Sequence, residues 1–311
     1  MFRNKDYVLE VYRERSFSRA AEKLYVSQPS LSASVKRIEE RIGAPIFDRS
    51  ISPIDLTEIG KEYVRIAIEI EGKEKDFVRY IEDRAKLKSG SIKIGGSSMF
   101  SSFVIPELAA QFGKNHPNID FEIFEDSTKN AVDRLLLGEL DLIIDNAKIE
   151  DAKVDSYFYS AEMLLLAVPC DFEICNRLKG KALSAEDIKR GKHLTKKATV
   201  SLSDFSGEPF IFLHPENDTG RRARELFKKH ALTPNVIFYL DQQVTSYNVS
   251  ASGMGISFVS DTLIKAIAPT RELCFFTLED EQMQRSIFLY TKKNRYLSRA
   301  VSEFIKESTQ K

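Results

Sequence analysis

No run of about twenty apolar residues occurs in the 311-residue chain, which excludes a membrane-spanning helix. Net charge is missing as well. The 46 Lys and Arg balance 46 Asp and Glu, so no global positive field draws the chain to nucleic acid, and any such contact must rest on a local surface. Cysteine is scarce and odd in number, three in all. The opening stretch MFRNKDYVLEVYRERSF is charged throughout, unlike a signal peptide. Reduced thiols and a cytoplasmic location are therefore expected. The four histidines are His116, His193, His214 and His230. None has the HExxH spacing of a zinc site, and neither a GxSxG elbow nor a recognisable Cys/His frame occurs. No catalytic residue, metal or cofactor is expected. The 42% apolar and 30% charged content is ordinary for a globular chain of two or three domains.

What is present begins with a helical N-terminus. Tyr7, Val8, Val11 and Tyr12 recur at helical spacing. Ser18 is a candidate cap for a helix through Ala20, Ala21 and Leu24, and Ser27 for a second helix with Pro29 in its first turn. In that second helix Leu31, Val35, Ile38 and Ile42 form one apolar stripe, and Gly43 ends it. The opposite side carries Pro29, Ser30, Ser32, Ala33, Lys36 and Arg37. An α-helix enters the B-DNA major groove only with a slim outer face, which Ser30, Ser32 and Ala33 supply. Gln28 suits adenine, and Lys36 and Arg37 suit phosphate or guanine. The pattern fits a helix-turn-helix, followed by a hairpin with arms Ile46-Phe47 and Ile54-Asp55-Leu56, where Arg49 is a candidate phosphate contact. By pattern alone, a helical hairpin with a solvated Ser-rich face fits the same residues.

From Thr57 to about Lys86 one helical pattern runs without proline. Ile59, Tyr63, Ile66, Ile70, Phe77 and Tyr80 follow heptad steps, which suits a partner helix and a dimer, while a helix packed on its own chain fits the same pattern. Lys88-Ser89-Gly90 reads as a hinge. Beyond it strands and helices alternate in two half-sized units, at Ile92–Gly95, Phe103–His116, Phe121–Glu125, Thr128–Leu137 and Leu140–Asp145, and again at Phe210–Leu213, Thr219–His230, Val236–Leu240, Gln243–Ser252 and Ile256–Val259. That is α/β organisation with mainly parallel sheets. The Gly/Ser turn at Gly95 to Ser98 offers backbone N–H groups at a helix start, an anion site, with hydroxyls from Ser97, Ser98 and Ser101, although a plain capped strand-to-helix turn fits the same pattern. It lacks the Gly-Lys-Ser/Thr core of a phosphate loop.

The stretch SFSRAAEKLYVSQPSLSASVKRIEERIGAPIFDRS, with LTEIG after it, resembles the N-terminal winged helix-turn-helix of LysR-type transcriptional regulators from Phe17 to Gly60, and the architecture is similar over nearly the whole length. The resemblance implies a winged head at 1–60, a linker and dimerisation helix at 57–88, and a two-lobed effector domain like periplasmic binding proteins at 91–311. Lobe I would hold 91–167 and 269–311, and lobe II 168–268. It implies double-stranded promoter DNA, RNA polymerase, a small metabolite effector and self-assembly as a dimer of dimers. Carried over residue by residue, the DNA-facing positions are Ser27, Gln28, Pro29, Ser30, Ser32, Ala33, Lys36, Arg37 and the wing's Arg49, next to Ser18. Ser34 and the weakly basic Ser50-Ile51-Ser52-Pro53 depart from the family's usual residues. The effector positions are Ser97, Ser98, Met99, Phe100, Thr128, Asn146, Leu213, His214, Asp218 and Gln243. Hydroxyls and helix starts on both sides of a cleft suit a small anion.

The segment CDFEICNRLKGKALSAEDIKRGK after Pro169 is roughly twenty residues longer than the family's usual connection, and reads as surface elaboration, or else as a modification of the cleft mouth or of a subunit contact. Residues 1–60 hold ten basic and nine acidic side chains. With each phosphate contact contributing a salt slope of roughly 0.9, one such head binds weakly, and joined heads gain through effective concentration. Three rival readings remain: an enzyme, a thiol sensor built on Cys170 and Cys175 with Cys274 buried in a strand, and a pure solute-binding protein.

Overall fold

The computed structural model describes residues 1–85, 90–195 and 199–310, apart from the side chains of residues 79 and 82–85. The chain divides into two compact units, Met1–Glu82 and Asp83–Lys311.

The first unit holds helices α1 (Lys5–Glu14), α2 (Phe17–Lys23) and α3 (Gln28–Ile42), strands β1 (Phe47–Asp48) and β2 (Asp55–Leu56), and the long helix α4 (Glu58–Ala85). α2 starts earlier than expected. Its cap is Ser16, whose hydroxyl accepts from the Arg19 amide, while Ser18 lies inside the helix and is exposed. Capping at Ser16 brings Phe17 into the first turn, so that Phe17, Ala20 and Ala21 all face inward. Ser27 caps α3 by accepting from the Ser30 amide at 3.3 Å, and Gly43 ends it in a left-handed conformation. Leu31, Val35 and Ile38 are buried, as the apolar stripe requires.

Thr57 caps α4, its Oγ1 accepting from the Gly60 amide at 2.9 Å. The start of α4 also packs on the head, because Tyr63, Val64 and Ala67 belong to the same core as Val8, Leu31 and Ile46. Tyr63, expected in an exposed seam, instead stacks on Phe2 with ring centroids 4.8 Å apart. Farther along, Phe77, Val78, Tyr80 and Ile81 are exposed, Phe77 by 62%. Ile59 is also exposed, and Ile66 and Ile70 are half-buried. Of the expected hinge, Lys88 and Ser89 lie outside the described residues, and Gly90 opens the next strand.

The second unit runs β3 (Gly90–Gly96), α5 (Ile105–Asn115), β4 (Ile119–Glu125), α6 (Thr128–Leu137), β5 (Leu142–Asp145), β6 (Val154–Pro169), α7 (Glu173–Arg177) and α8 (Ala185–Lys189). It continues with β7 (Thr199–Val200), β8 (Pro209–Leu213), α9 (Asp218–Lys229), β9 (Asn235–Leu240), α10 (Gln243–Ala251), β10 (Ile256–Ser260), α11 (Asp261–Ala266), β11 (Leu273–Leu278), β12 (Gln284–Lys292) and α12 (Arg299–Thr309). A π-helical turn at Phe100–Val104 leads into α5. The parallel strands stand where the sequence predicts them, with β3 beside β4 and β5, and β8 beside β9 and β10. The sheets are mixed rather than mainly parallel, because β6 and β12 cross both patterns antiparallel to their neighbours. Four consecutive buried residues, Leu142 to Asp145, show that β5 is covered on both faces.

β6 corrects the lobe boundaries. Its first half, to Met163, pairs with β12 in one sheet, and Leu164 to Ala167 pair with β10 in the other. One 16-residue strand therefore serves both lobes. The first crossing lies near Glu162-Met163 instead of Ala167-Val168. β11 pairs with the second half of β6, which keeps residues 269–283 in lobe II and places the return crossing at Met283-Gln284. The long segment after Pro169 is no surface elaboration. Ile174 and Cys175 join the lobe II core, Ala185 and Ile188 join the larger core, and Leu183 bridges to Phe275.

Candidate functional site

Two surfaces gather the predicted functional side chains. On the first, Ser27, Gln28, Pro29, Ser30, Ala33, Lys36 and Arg37 are exposed along α3, and Ser32 is half-buried. The buried stripe and this slim face occupy opposite sides of one helix, the geometry a groove-reading helix needs. Lys36 is only loosely paired, 4.0 Å from Glu40. Arg49 is placed by a residue that sequence reasoning missed. Glu39 accepts from the Ile46 amide at 2.8 Å with one oxygen and from Arg49 at 3.1 Å with the other. The Arg49 guanidinium also lies over the Phe17 ring at 4.9 Å. One carboxylate thus ties the recognition helix to the hairpin and aims the wing arginine. Its sequence signal was the acidic pair Glu39-Glu40 following Lys36 and Arg37 near the end of the helix.

The second surface lies between the lobes. Ser97, Met99, Thr128, Asp145 and Asn146 from lobe I meet Asn217, Asp218, Thr219, Gln242 and Gln243 from lobe II around a cavity of about 20 Å³, room for roughly one water. Six of the ten expected effector residues therefore come together here. The other four do not. Phe100 is packed in the core because the side chain after Met99 turns inward against Gly96. Leu213 is buried at the end of β8. Ser98 is half-buried and does not line the cavity. His214 points to the outer edge, 4.0 Å from Asp241 and about half exposed.

Beneath the cavity lies an ionic network. Arg285 of β12 is buried. Its Nε donates to Glu162 at 2.6 Å, and its Nη1 donates to Asp218 and to the Thr219 hydroxyl, each at 2.9 Å. Asp218 also accepts from Arg222 at 2.7 Å and from Arg221. Burial pushes its carboxyl up, but Arg285 and Arg222 outweigh this and hold it below the ordinary carboxylate range. Asn146 donates to Glu162 at 2.8 Å. Gln243 donates to Thr219 at 3.1 Å and accepts from the Ser260 amide at 3.1 Å. Asp145 accepts from Thr128 at 2.8 Å and from the Ala147 amide at 2.7 Å, and burial raises its pKa. Glu162 Oε2 and Arg285 Nη2 have no protein partner among the described residues. The expected anion positions are taken by the chain's own groups, with Asp218 at the start of α9 and Asp145 under the start of α6. Glu162 and Arg285 escaped sequence reasoning, although a lone charge inside an apolar strand is itself a signal of a buried partner.

A third buried contact links the long segment to the lobe crossing. His193 Nε2 lies 3.0 Å from Asp261, and Asp261 accepts from the Met163 amide at 2.8 Å.

The sequence matches the family of bacterial regulatory helix-turn-helix proteins of the lysR type over residues 2–61 and the LysR substrate-binding domain over residues 85–311. Among curated relatives, a probable RuBisCO transcriptional regulator of Trieres chinensis is 26% identical, over 94% of this chain and 91% of its own. The uncharacterized HTH-type transcriptional regulator YcgK of Bacillus subtilis is 24% identical, over 97% and 92%. The fold is shared with a full-length OxyR variant from Pseudomonas aeruginosa, TM-score 0.68 and 22% identity over 98% of this chain and 93% of that one. It is also shared with full-length CbnR in complex with its target DNA, TM-score 0.63 and 18% identity over 100% and 99%. The exposed helix face, the two-lobed domain and these matches lead to one conclusion: the chain belongs to the LysR family of transcriptional regulators, with an N-terminal DNA-binding domain and a C-terminal effector-binding domain.

Proposed function

We propose that a small, strongly polar metabolite held between the lobes sets how the α3 faces engage promoter DNA. The observation that carries this reading is the cavity lined by side chains of both lobes and underlain by Arg285, which reaches from the lobe I sheet to the start of α9. A ligand that favours one lobe arrangement shifts the protein toward it by its differential affinity. The lining has amides and hydroxyls, and its two charged members, Asp145 and Asp218, are both acidic. Hydroxyl or amine groups on the ligand therefore match it directly, whereas an anion reaches Arg285 only in place of Asp218.

The exposed apolar residues Phe77, Val78, Tyr80 and Ile81 of α4 support pairing of two chains. Two such pairs on one promoter gain affinity through linked sites, and a ligand-dependent spacing of the heads alters DNA bending and contact with RNA polymerase. The setting is the cytoplasm.

A thermal-shift panel of small polyols, amino sugars and amino acids on the full chain tests the cleft. A ligand that raises the melting temperature of the native chain is expected to lose that effect in the Asn146→Ala, Gln243→Ala double variant. A shift retained in full places the site elsewhere. Independently, Ser30→Glu with Arg37→Glu puts two carboxylates on the face that meets phosphate and base edges. Promoter binding is expected to fall by about 100-fold or more, with the ligand shift intact. Unchanged DNA affinity in an electrophoretic shift assay would show that α3 is not the reading helix.

A further inference from the structure

All three cysteines of the chain converge on one corner of lobe II. Cys170 directly follows β6 and Cys274 lies in β11, 104 residues later. The two strands are antiparallel neighbours with Pro169 opposite Leu273, and the Cys170 amide donates to the Glu272 carbonyl at 2.9 Å. This register brings the two Sγ atoms to 3.1 Å. Both residues are half-buried, and Cys274 packs against the lobe II core. Cys175, in α7, is buried and donates to the Pro169 carbonyl at 3.3 Å, and it also neighbours the Cys274 sulfur. A disulfide holds its sulfurs about 2.05 Å apart, about 1 Å closer than those of Cys170 and Cys274 stand.

We propose that Cys170 and Cys274 are a reversible thiol–disulfide pair, closed by a hydroperoxide, that staples the end of β6 to β11 and holds lobe II together. The Cys170 sulfur attacks the peroxide, the O–O bond breaks, and a sulfenic acid and one water (or alcohol) form. The Cys274 sulfur then attacks the sulfenic sulfur. The S–S bond forms, the S–O bond breaks and a second water leaves. Two thiols lose two electrons and the peroxide gains them. A dithiol reverses the step. Burial pushes the Cys170 thiol up to about 12, and Cys274 is raised further by its contact with Cys175 and by burial. Thiolate is therefore scarce and closure slow. The ring so closed contains most of lobe II, and such a crosslink stabilises by restricting the unfolded chain.

The test treats the reduced full chain with hydrogen peroxide, blocks free thiols and maps the cysteines by non-reducing digestion and mass spectrometry. The expected product is one peptide pair, two hydrogens lighter than the separate peptides, joining Cys170 to Cys274 and reopened by dithiothreitol. The effector domain should then melt higher by on the order of 5–10 °C. Cys175→Ser is expected to retain link and shift. Cys170→Ser and Cys274→Ser are expected to lose both, while melting like the native chain when reduced. Separate sulfinic acids without a link, or a link through Cys175, would overturn the proposal.

Discussion

Arg285→Ala is expected to destabilise the effector domain by about 3–5 kcal/mol. The alanine leaves Glu162 and Asp218 buried, with side-chain exposures of 0% and 2%, and without the guanidinium that compensates both. Asp218 keeps Arg221 and Arg222. Among the described residues Glu162 keeps only the Asn146 amide, so the uncompensated charge at the lobe crossing dominates the loss. For a domain of this size the cost corresponds to a fall in melting temperature of roughly 6–20 °C, readable by calorimetry of the full chain with reference to the head's own transition. Glu162→Gln keeps an acceptor for Arg285 and removes the buried charge, so it should cost clearly less. If Arg285→Ala lowered stability by under about 1 kcal/mol, water would have to reach Glu162, and the closed cavity would not describe the protein in solution.

The same network shows where the sequence stops being informative. Helix caps, apolar stripes and turn residues act over a few positions, and these reveal α3 from Ser27 to Gly43 and the parallel strands β3, β5, β8 and β10 in order. Thr128, Asn146, Asp218 and Gln243 are legible for the same reason, since each sits at a strand end or helix start facing a cleft. The residues missed depend on long-range pairing. Glu162 and Arg285 are 123 residues apart, and nothing local to either tells which lone charge in a strand will find the other. The Cys170–Cys274 contact is hidden in the same way, which is why nearby Cys175 looked like the partner. His214 misleads in the opposite direction. It sits beside the right turn, but the βα turn after β8 sends its ring toward Asp241 and Tyr239 and away from the cleft. The lobe boundary fails because β6 is one continuous strand, and only its two sets of partners divide it.

Gly60→Ala is expected to be the most damaging small substitution in the DNA-binding domain. The Thr57 amide donates to the Ile46 carbonyl at 2.9 Å, which draws the first turn of α4 against the segment leading into β1. A Cβ on Gly60 would lie 1.9 Å from that same Ile46 oxygen. No rotamer relieves the clash, because both the added atom and its neighbour are fixed to backbone. Either α4 moves away, opening the contacts of Tyr63, Val64 and Ala67 with the core, or the Ile46 carbonyl turns and loses its hydrogen bonds. The second route also disturbs the Ile46 amide, which donates to Glu39, the residue that holds Arg49. Overpacking of this kind costs about 3 kcal/mol or more, offset only slightly by alanine's better helix propensity of about 1 kcal/mol. Urea unfolding followed by circular dichroism should show the head's transition moved to lower denaturant. DNA affinity should fall even where the head remains folded, since Arg49 loses its support. Stability and DNA affinity both unchanged from the native chain would mean that α4 and the hairpin do not meet at Gly60, and that Arg49 is held by something other than this junction.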